Sequence, residues 1–367
     1  MGWVYWAATT SSFDPLVGRP LGGDFSYCWS AATLALGGEP AAVYEFARLR
    51  GVELAHFGVS AILPWLYPPT YLLLVLPFAL LPYHAALALW LVTTLSGYLY
   101  IIRRIAPRPQ FILLTLAFPG TLQNLFYGQN GFLSGIFLGG GLLLLDRSPW
   151  IAGLLLALLT YKPHLAVLVP VALIAGRRWR ALLAMGVSTA ALVLATTMLL
   201  GIKVWIAFFN HIFLAMKTIE AGNQDLLFLN PSVFSTALLS GAGVFSARIL
   251  QGATMLTAAG LVTWVWSRGA APAMRNAALV LGILLFIPYG YVYDLALLAL
   301  PLAWLGWQGY TGGWRPGEKT CLFLAWLTPI LSPQVAMATR VHIAPLVLGA
   351  LLCLVLRRAL QESPSAG

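Results

Sequence analysis

Charge is what this sequence has least of. Only 9% of its 367 residues are Asp, Glu, Lys or Arg, against roughly 25% in a soluble globular domain. With 60% hydrophobic residues, the chain is read as an all-α polytopic membrane protein. Cysteine is also scarce. Cys28, Cys321 and Cys353 are scattered, so neither a disulfide framework nor a zinc site is expected. There is no Walker A lysine loop and no Gly-x-Gly-x-x-Gly after a strand. No extended polar region offers room for a nucleotide-binding domain. A nucleotide sugar or ATP is therefore not the expected substrate. No Asp-x-Asp motif is present, and no metal or other cofactor is expected. No internal repeat is visible, which counts against a transporter, a class that shows repeat symmetry with paired broken helices. The only low-complexity stretch is the tail Ser363-Pro364-Ser365-Ala366-Gly367.

The charges that are present interrupt the apolar runs in two alternating sets. One set is basic: Arg103, Arg104, Arg108; Arg147 beside Asp146; Arg177, Arg178, Arg180; Arg268 and Arg275; Arg315 and Lys319; Arg357 and Arg358. The other holds the polar segment 13–66 and the turns Tyr127-Gly128-Gln129-Asn130, Tyr161-Lys162-Pro163-His164, 203–245, Pro288 to Asp294 and Ser332 to His342. The first set carries 13 Lys and Arg, and the second 8 when Arg248, just past its 203–245 segment, is counted with it. The positive-inside rule then places the first set in the cytoplasm. The whole net charge of +10 lies on that face, where anionic membrane lipids attract it, and no nucleic-acid partner is expected. About 11 or 12 membrane segments follow, with the 13–66 segment outside.

Four parts of this layout are specific. Residues 1–12 are apolar but about half the length of a spanning helix; they read as the stump of a first transmembrane helix, with the start placed too late. Residues 67–360 form the bundle and 361–367 a cytoplasmic tail. Within the bundle, 67–81 is read as a re-entrant or interfacial piece and 82–102 as the span. From Pro149 to Gly176 there are 28 residues, where two full crossings need about 40. The Tyr161-Lys162-Pro163-His164 tip should therefore stop inside the membrane profile, where a break at Pro163 is tolerated only against protein or a water-filled cavity.

The candidate functional residues are the polar ones this layout brings to one side. Asp24 follows Gly22-Gly23 and precedes Phe25, Trp29, Ala32, Thr33 and Leu36, a helical spacing suited to the bilayer interface. Gly37-Gly38 ends that run, and Pro40 to Arg50 suits a second interfacial helix. Asp24 is either a functional carboxylate at headgroup level or the N-cap of its helix. Lys162 is an intramembrane cation, read either as a partner for a substrate phosphate or as an ion-pair partner of Asp294. His164 can assist it or be a satisfied core residue. Asp294 begins a helix and caps it or binds substrate. Gln129 and Asn130 begin another, as sugar ligands or caps. Arg340 and His342 are the weakest candidates.

The order of several short motifs resembles the polyprenol-phosphate-mannose-dependent mannosyltransferases of glycosyltransferase family 87. The matching stretches are Gly18-Arg19-Pro20-Leu21-Gly22-Gly23-Asp24-Phe25 with Trp29 and Tyr44; Tyr67-Pro68-Pro69 with Leu81-Pro82 and Trp90; Gly128-Gln129-Asn130; Lys162-Pro163 followed by Arg177-Arg178-Trp179-Arg180; and Tyr293-Asp294-Leu295. They span about residues 18–295. The resemblance implies a GT-C fold, a polyprenyl-phosphate sugar donor, a lipid or glycan acceptor, and a base from the first outer loop, which Asp24 matches. Arg19, Gln129, Asn130, Lys162, His164, Asp294 and His342 are the candidate donor and substrate ligands. A lipid or sugar transporter, a polyprenyl-linked polymer ligase and a noncatalytic assembly factor are the competing readings.

The predicted orientation is testable by cysteine labelling in sealed cells. A cysteine at Glu45 should react with an impermeant thiol reagent and one at Arg178 should not. Labelling at Arg178 would invert the assignment.

Overall fold

The structure is a computed structural model that describes residues 13–14, 19–58, 65–220 and 224–362. The expected first-helix stump at 1–12 and the end of the tail lie outside the described residues. The architecture is all-α, apart from a two-residue antiparallel ladder pairing Phe13 with Pro20 and Asp14 with Arg19. Proline sets many of the starts. Pro69, Pro109, Pro149, Pro163 and Pro272 each open a helix, because the missing N–H is not needed at a first helical position.

Among the described residues, five helices are long and apolar enough to cross a membrane: Tyr83–Ile105, Trp179–Leu200, Val244–Ser267, Glu318–Thr339 and Ala344–Gln361. Six shorter apolar helices of 10–17 residues accompany them, among them Pro69–Leu80, Gly131–Leu144 and Pro272–Phe286. The 67–102 stretch divides into a short and a long helical part. A short piece, Pro69–Val75 continued by the tighter turn Leu76–Leu80, precedes the long Tyr83–Ile105 helix.

The chain divides into two compact units. The first holds residues up to Ser96, Gln123–Asn130 and Thr189–Ala221. Its centre is the helix Asp24–Leu36. This helix departs from an interfacial one. Phe25 and Ala32 are 0% exposed and Trp29 7%, so these positions turn into protein; of the five spaced residues only Leu36 is exposed. The reason is aromatic packing. Phe25 stacks on Trp90 at 5.5 Å and meets Phe78 edge-on at 6.2 Å. Trp29 packs against His56, Phe57 and Tyr83. The second expected helix is also divided. Pro40–Tyr44 is a tight turn, Glu45 is extended, and a separate helix runs Phe46–Phe57.

The second unit holds Gly97–Leu122, Gly131–Ser188 and the residues from Gly222 on. Its centre is Pro272–Phe286, buried at every position from Met274 to Leu284, with Arg275 and Asn276 among otherwise apolar or small residues. Gly135 and Gly139 let the Gly131–Leu144 helix approach Tyr98 and Ile101, the small-residue packing common between membrane helices.

Within this unit, several polar contacts join members of the same charge set. Asp146 pairs with Arg178 at 2.7 Å and with Arg275. Glu318 takes two hydrogen bonds from the Arg358 guanidinium, both at 2.6 Å. In the other set, Asn230 and Ser232 both donate to the Pro288 carbonyl at 2.9 Å, and Ser240 donates to Arg340 O at 3.4 Å.

The Asp146–Arg178 pair closes the base of the short hairpin. Its limbs, Pro149–Tyr161 and Pro163–Ala175, start and end at this pair. Thirteen helical residues span about 20 Å, less than the roughly 30 Å hydrocarbon core. Each limb is thus too short for a full crossing.

Candidate active site

Asp24 is positioned by two glycine turns. Gly22 and Gly23 have φ of +79° and +49°, which favours glycine. The helix then begins at Asp24, with Gly23 in the capping position and no side-chain cap. The N-cap reading of Asp24 is thus not the one the geometry takes. Its carboxylate stands in the first turn, where the helix dipole favours negative charge, and the residue is only half-buried.

The second turn is Tyr127-Gly128-Gln129. Gly128 has φ +60°. A Cβ there would overlap Gly22 O and lie 2.7 Å from Phe25 Cβ. Trp90 Nε1 donates to Gly128 O at 3.1 Å and secures the contact. The approach delivers Gln129, whose Nε2 donates to Asp24 Oδ2 at 2.5 Å. Gln129 Oε1 in turn accepts from Asn130 N at 3.2 Å. Asn130 Nδ2 donates to Tyr67 Oη at 2.9 Å and Tyr71 Oη at 3.2 Å. Asp24, Gln129 and Asn130 are therefore brought together, across a sequence separation of 105 residues between Asp24 and Gln129.

An aromatic group borders these residues. Tyr67 packs on Tyr71 at 4.4 Å and on Trp65 at 5.1 Å, and Tyr27 on Trp65 at 5.1 Å. Tyr27 Oη is buried and makes no hydrogen bond among the described residues. Burial, joined by the neighbouring Tyr67, Cys28, Glu53 and Asp24, pushes its phenol well above the usual value. Tyr27 thus stays a neutral hydroxyl. Glu53, only 2% exposed, is a second carboxylate in this region. The sequence reading gave no role to Glu53, Tyr27 or Tyr71. Glu53 lies on a short helix of mixed composition, between Val52 and Leu54, so no spacing marks it. Tyr67 and Trp90 were visible only as parts of motifs.

Lys162 sits in a separate arrangement in the second unit. Lys162 Nζ donates to Asp294 Oδ1 at 2.5 Å, with the two side chains 3% and 5% exposed. The ammonium also lies 5.1 Å from the centre of the Tyr293 ring. Asp294 Oδ2 accepts from Tyr291 N at 3.1 Å and closes a capping box over Val292–Leu298. Both alternatives to substrate binding foreseen for Asp294, capping and ion pairing, are thus realised together. An ammonium held this way has its charge already matched. His164 Nε2 is buried without a hydrogen-bond partner. Tyr161 Oη and Ser134 Oγ, 2.6 Å apart, pair beside the same turn.

His342 is a packing residue. Its Nε2 meets Leu227 O at 2.9 Å and its Nδ1 meets Ser332 Oγ at 3.1 Å. Burial lowers its pKa, so the ring is neutral and both nitrogens are engaged. Arg340 takes a left-handed backbone, φ +65°, after the Glu318–Thr339 helix. The backbone of Arg19 is in the ladder, and its side chain lies outside the described residues.

Against known proteins, the model of glycosyltransferase family 87 matches residues 65–288, more than half of the chain. Tyr67, Gln129, Asn130, Lys162 and His164 fall inside the match, and Asp24 and Asp294 outside it. No curated protein and no solved structure matches the chain.

The Lys162–Asp294 pair gives a direct test. Lys162→Met leaves a buried carboxylate uncompensated, at a cost of about 3–5 kcal/mol. The variant should fail to accumulate in membranes, and Lys162→Met with Asp294→Leu should restore the amount. Normal accumulation of the single variant with weakened donor use would instead assign the ammonium to a donor phosphate.

Proposed function

The chain belongs to glycosyltransferase family 87, and we propose that it moves mannose from a polyprenyl-phosphate-linked donor to a lipid or glycan acceptor of the cell envelope. The proposed location is a bacterial-type plasma membrane, with Asp24 on the outer side. The Lys and Arg bias of the two charge sets supports that orientation.

The observation that carries the reading is the half-buried Asp24 carboxylate, held by Gln129 at the start of a buried helix. Asp24 accepts the proton of the acceptor hydroxyl as its oxygen attacks the anomeric carbon. The bond from that carbon to the phosphate oxygen breaks, and the polyprenyl phosphate leaves with the electron pair. A phosphate leaves as an anion without prior protonation, so one proton acceptor suffices. Gln129 fixes one carboxylate oxygen by donating to it, which orients the other. The neutral hydroxyls of the neighbouring tyrosines suit a sugar or its acceptor better than a second charge would.

Asp24→Asn keeps the size and an oxygen for Gln129 while removing proton-accepting power. Turnover with radiolabelled polyprenyl-phosphate sugars and membrane extract should fall at least about a hundredfold, within the range for losing a general base. Asp24→Ser should behave alike, and both proteins should stay folded because Gly23 holds the capping position. Near-normal turnover in both would remove Asp24 from the chemistry.

A further inference from the structure

One corner of the second unit collects positive charge without collecting the acids to balance it. Four chain segments meet there: 146–150, 176–180, 264–268 and Arg275. Asp146 joins the first to Arg178 at 2.7 Å and to Arg275. Trp266 Nε1 donates to Arg275 O at 2.8 Å, and a Cβ on Gly176 would lie 2.7 Å from the Trp266 ring. These segments bring with them Arg147, Arg177, Arg178, Arg180, Arg268 and Arg275, and one carboxylate, Asp146.

Three further features point to an anion. The helices Pro149–Leu158, Trp179–Leu200 and Pro272–Phe286 all begin here, so three positive dipole ends add to the guanidinium charge. Arg275 is only 6% exposed, and its Nε is buried without a hydrogen-bond partner among the described residues. Arg177 stands at φ +53° just past the Leu168–Ala175 helix, a position glycine usually fills. The surroundings point to a lipid. Trp150 and Trp179, 56% and 57% exposed, stand at the starts of apolar helices, where an aromatic belt meets lipid headgroups.

We propose that this corner binds the phosphate headgroup of an anionic phospholipid. Exposed Arg147, Arg177 and Arg180 hold the phosphate oxygens, Arg178 and Arg275 form the floor, and the tryptophans lie along the glycerol and acyl boundary. Basic clefts between membrane helices take such headgroups. The site is independent of the Asp24 chemistry, and its proof or failure leaves the sugar-transfer reading untouched.

The test uses the full chain in detergent micelles carrying either cardiolipin or phosphatidylcholine, with bound lipid counted by native mass spectrometry. Cardiolipin should be retained and phosphatidylcholine not. Each guanidinium near the headgroup is worth roughly fivefold in binding, so Arg147→Gln with Arg177→Gly and Arg180→Gln should weaken cardiolipin binding at least about tenfold. Arg177→Gly alone guards against misfolding. Glycine suits the positive φ, so melting should hold or rise while cardiolipin binding still falls. Unchanged cardiolipin binding in the triple variant or in the folded single variant would overturn the site. Displacement of cardiolipin by inorganic phosphate at equal phosphate concentration would reduce it to a small-anion site and overturn the lipid assignment.

Discussion

The backbone of Gly128 against Gly22 is the contact on which the candidate site depends. Neither residue tolerates a side chain there: both have positive φ, and a Cβ on Gly128 would overlap the Gly22 carbonyl. The contact has two results. It sets the entry angle of the Asp24–Leu36 helix, so that Phe25 reaches Trp90 and the helix is buried along most of its length. It also places Gln129 one residue beyond the turn, within hydrogen-bonding reach of Asp24. Side-chain packing then fixes the geometry from outside, through Trp90 on Gly128 O and Tyr83 on Leu21 O.

The second unit answers a different constraint. Water is scarce around its helices, so charges must find partners or reach the ends. The ends hold Asp146 with Arg178 and Arg275, and Glu318 with Arg358. The interior holds Lys162 with Asp294. Removing one member of such a pair costs more than the pair itself contributes. The short hairpin that carries Lys162 follows from the same logic, since its polar turn is tolerated at depth only because protein surrounds it.

Much of this was legible in the sequence, and for physical reasons. Low charge marked the membrane class, and charge alternation sorted the loops that the structure groups together. The 28-residue count exposed the hairpin. Asp24, Gln129 and Asn130 stood out as polar residues after glycine turns. Their meeting was not legible, because no local pattern encodes a contact across 105 residues. The burial of Phe25, Trp29 and Ala32 was misread as an interfacial face, since helical spacing says which residues share a side and not what covers it. Glu53 escaped notice because a lone carboxylate on a short helix reads as surface. For Lys162 and Asp294 the sequence named the pairing as one of two options, and the structure shows the pair formed.

With Asp24 as the single proton acceptor and a phosphate that leaves unaided, the acceptor oxygen must enter opposite the departing phosphate. The most direct measurement of this account is the anomeric configuration of the product, read by NMR coupling constants against that of a defined polyprenyl-phosphate donor. The account predicts inversion at the anomeric carbon in a single displacement. Retention would require a covalent glycosyl-enzyme intermediate and would contradict Asp24 as a base acting on the acceptor.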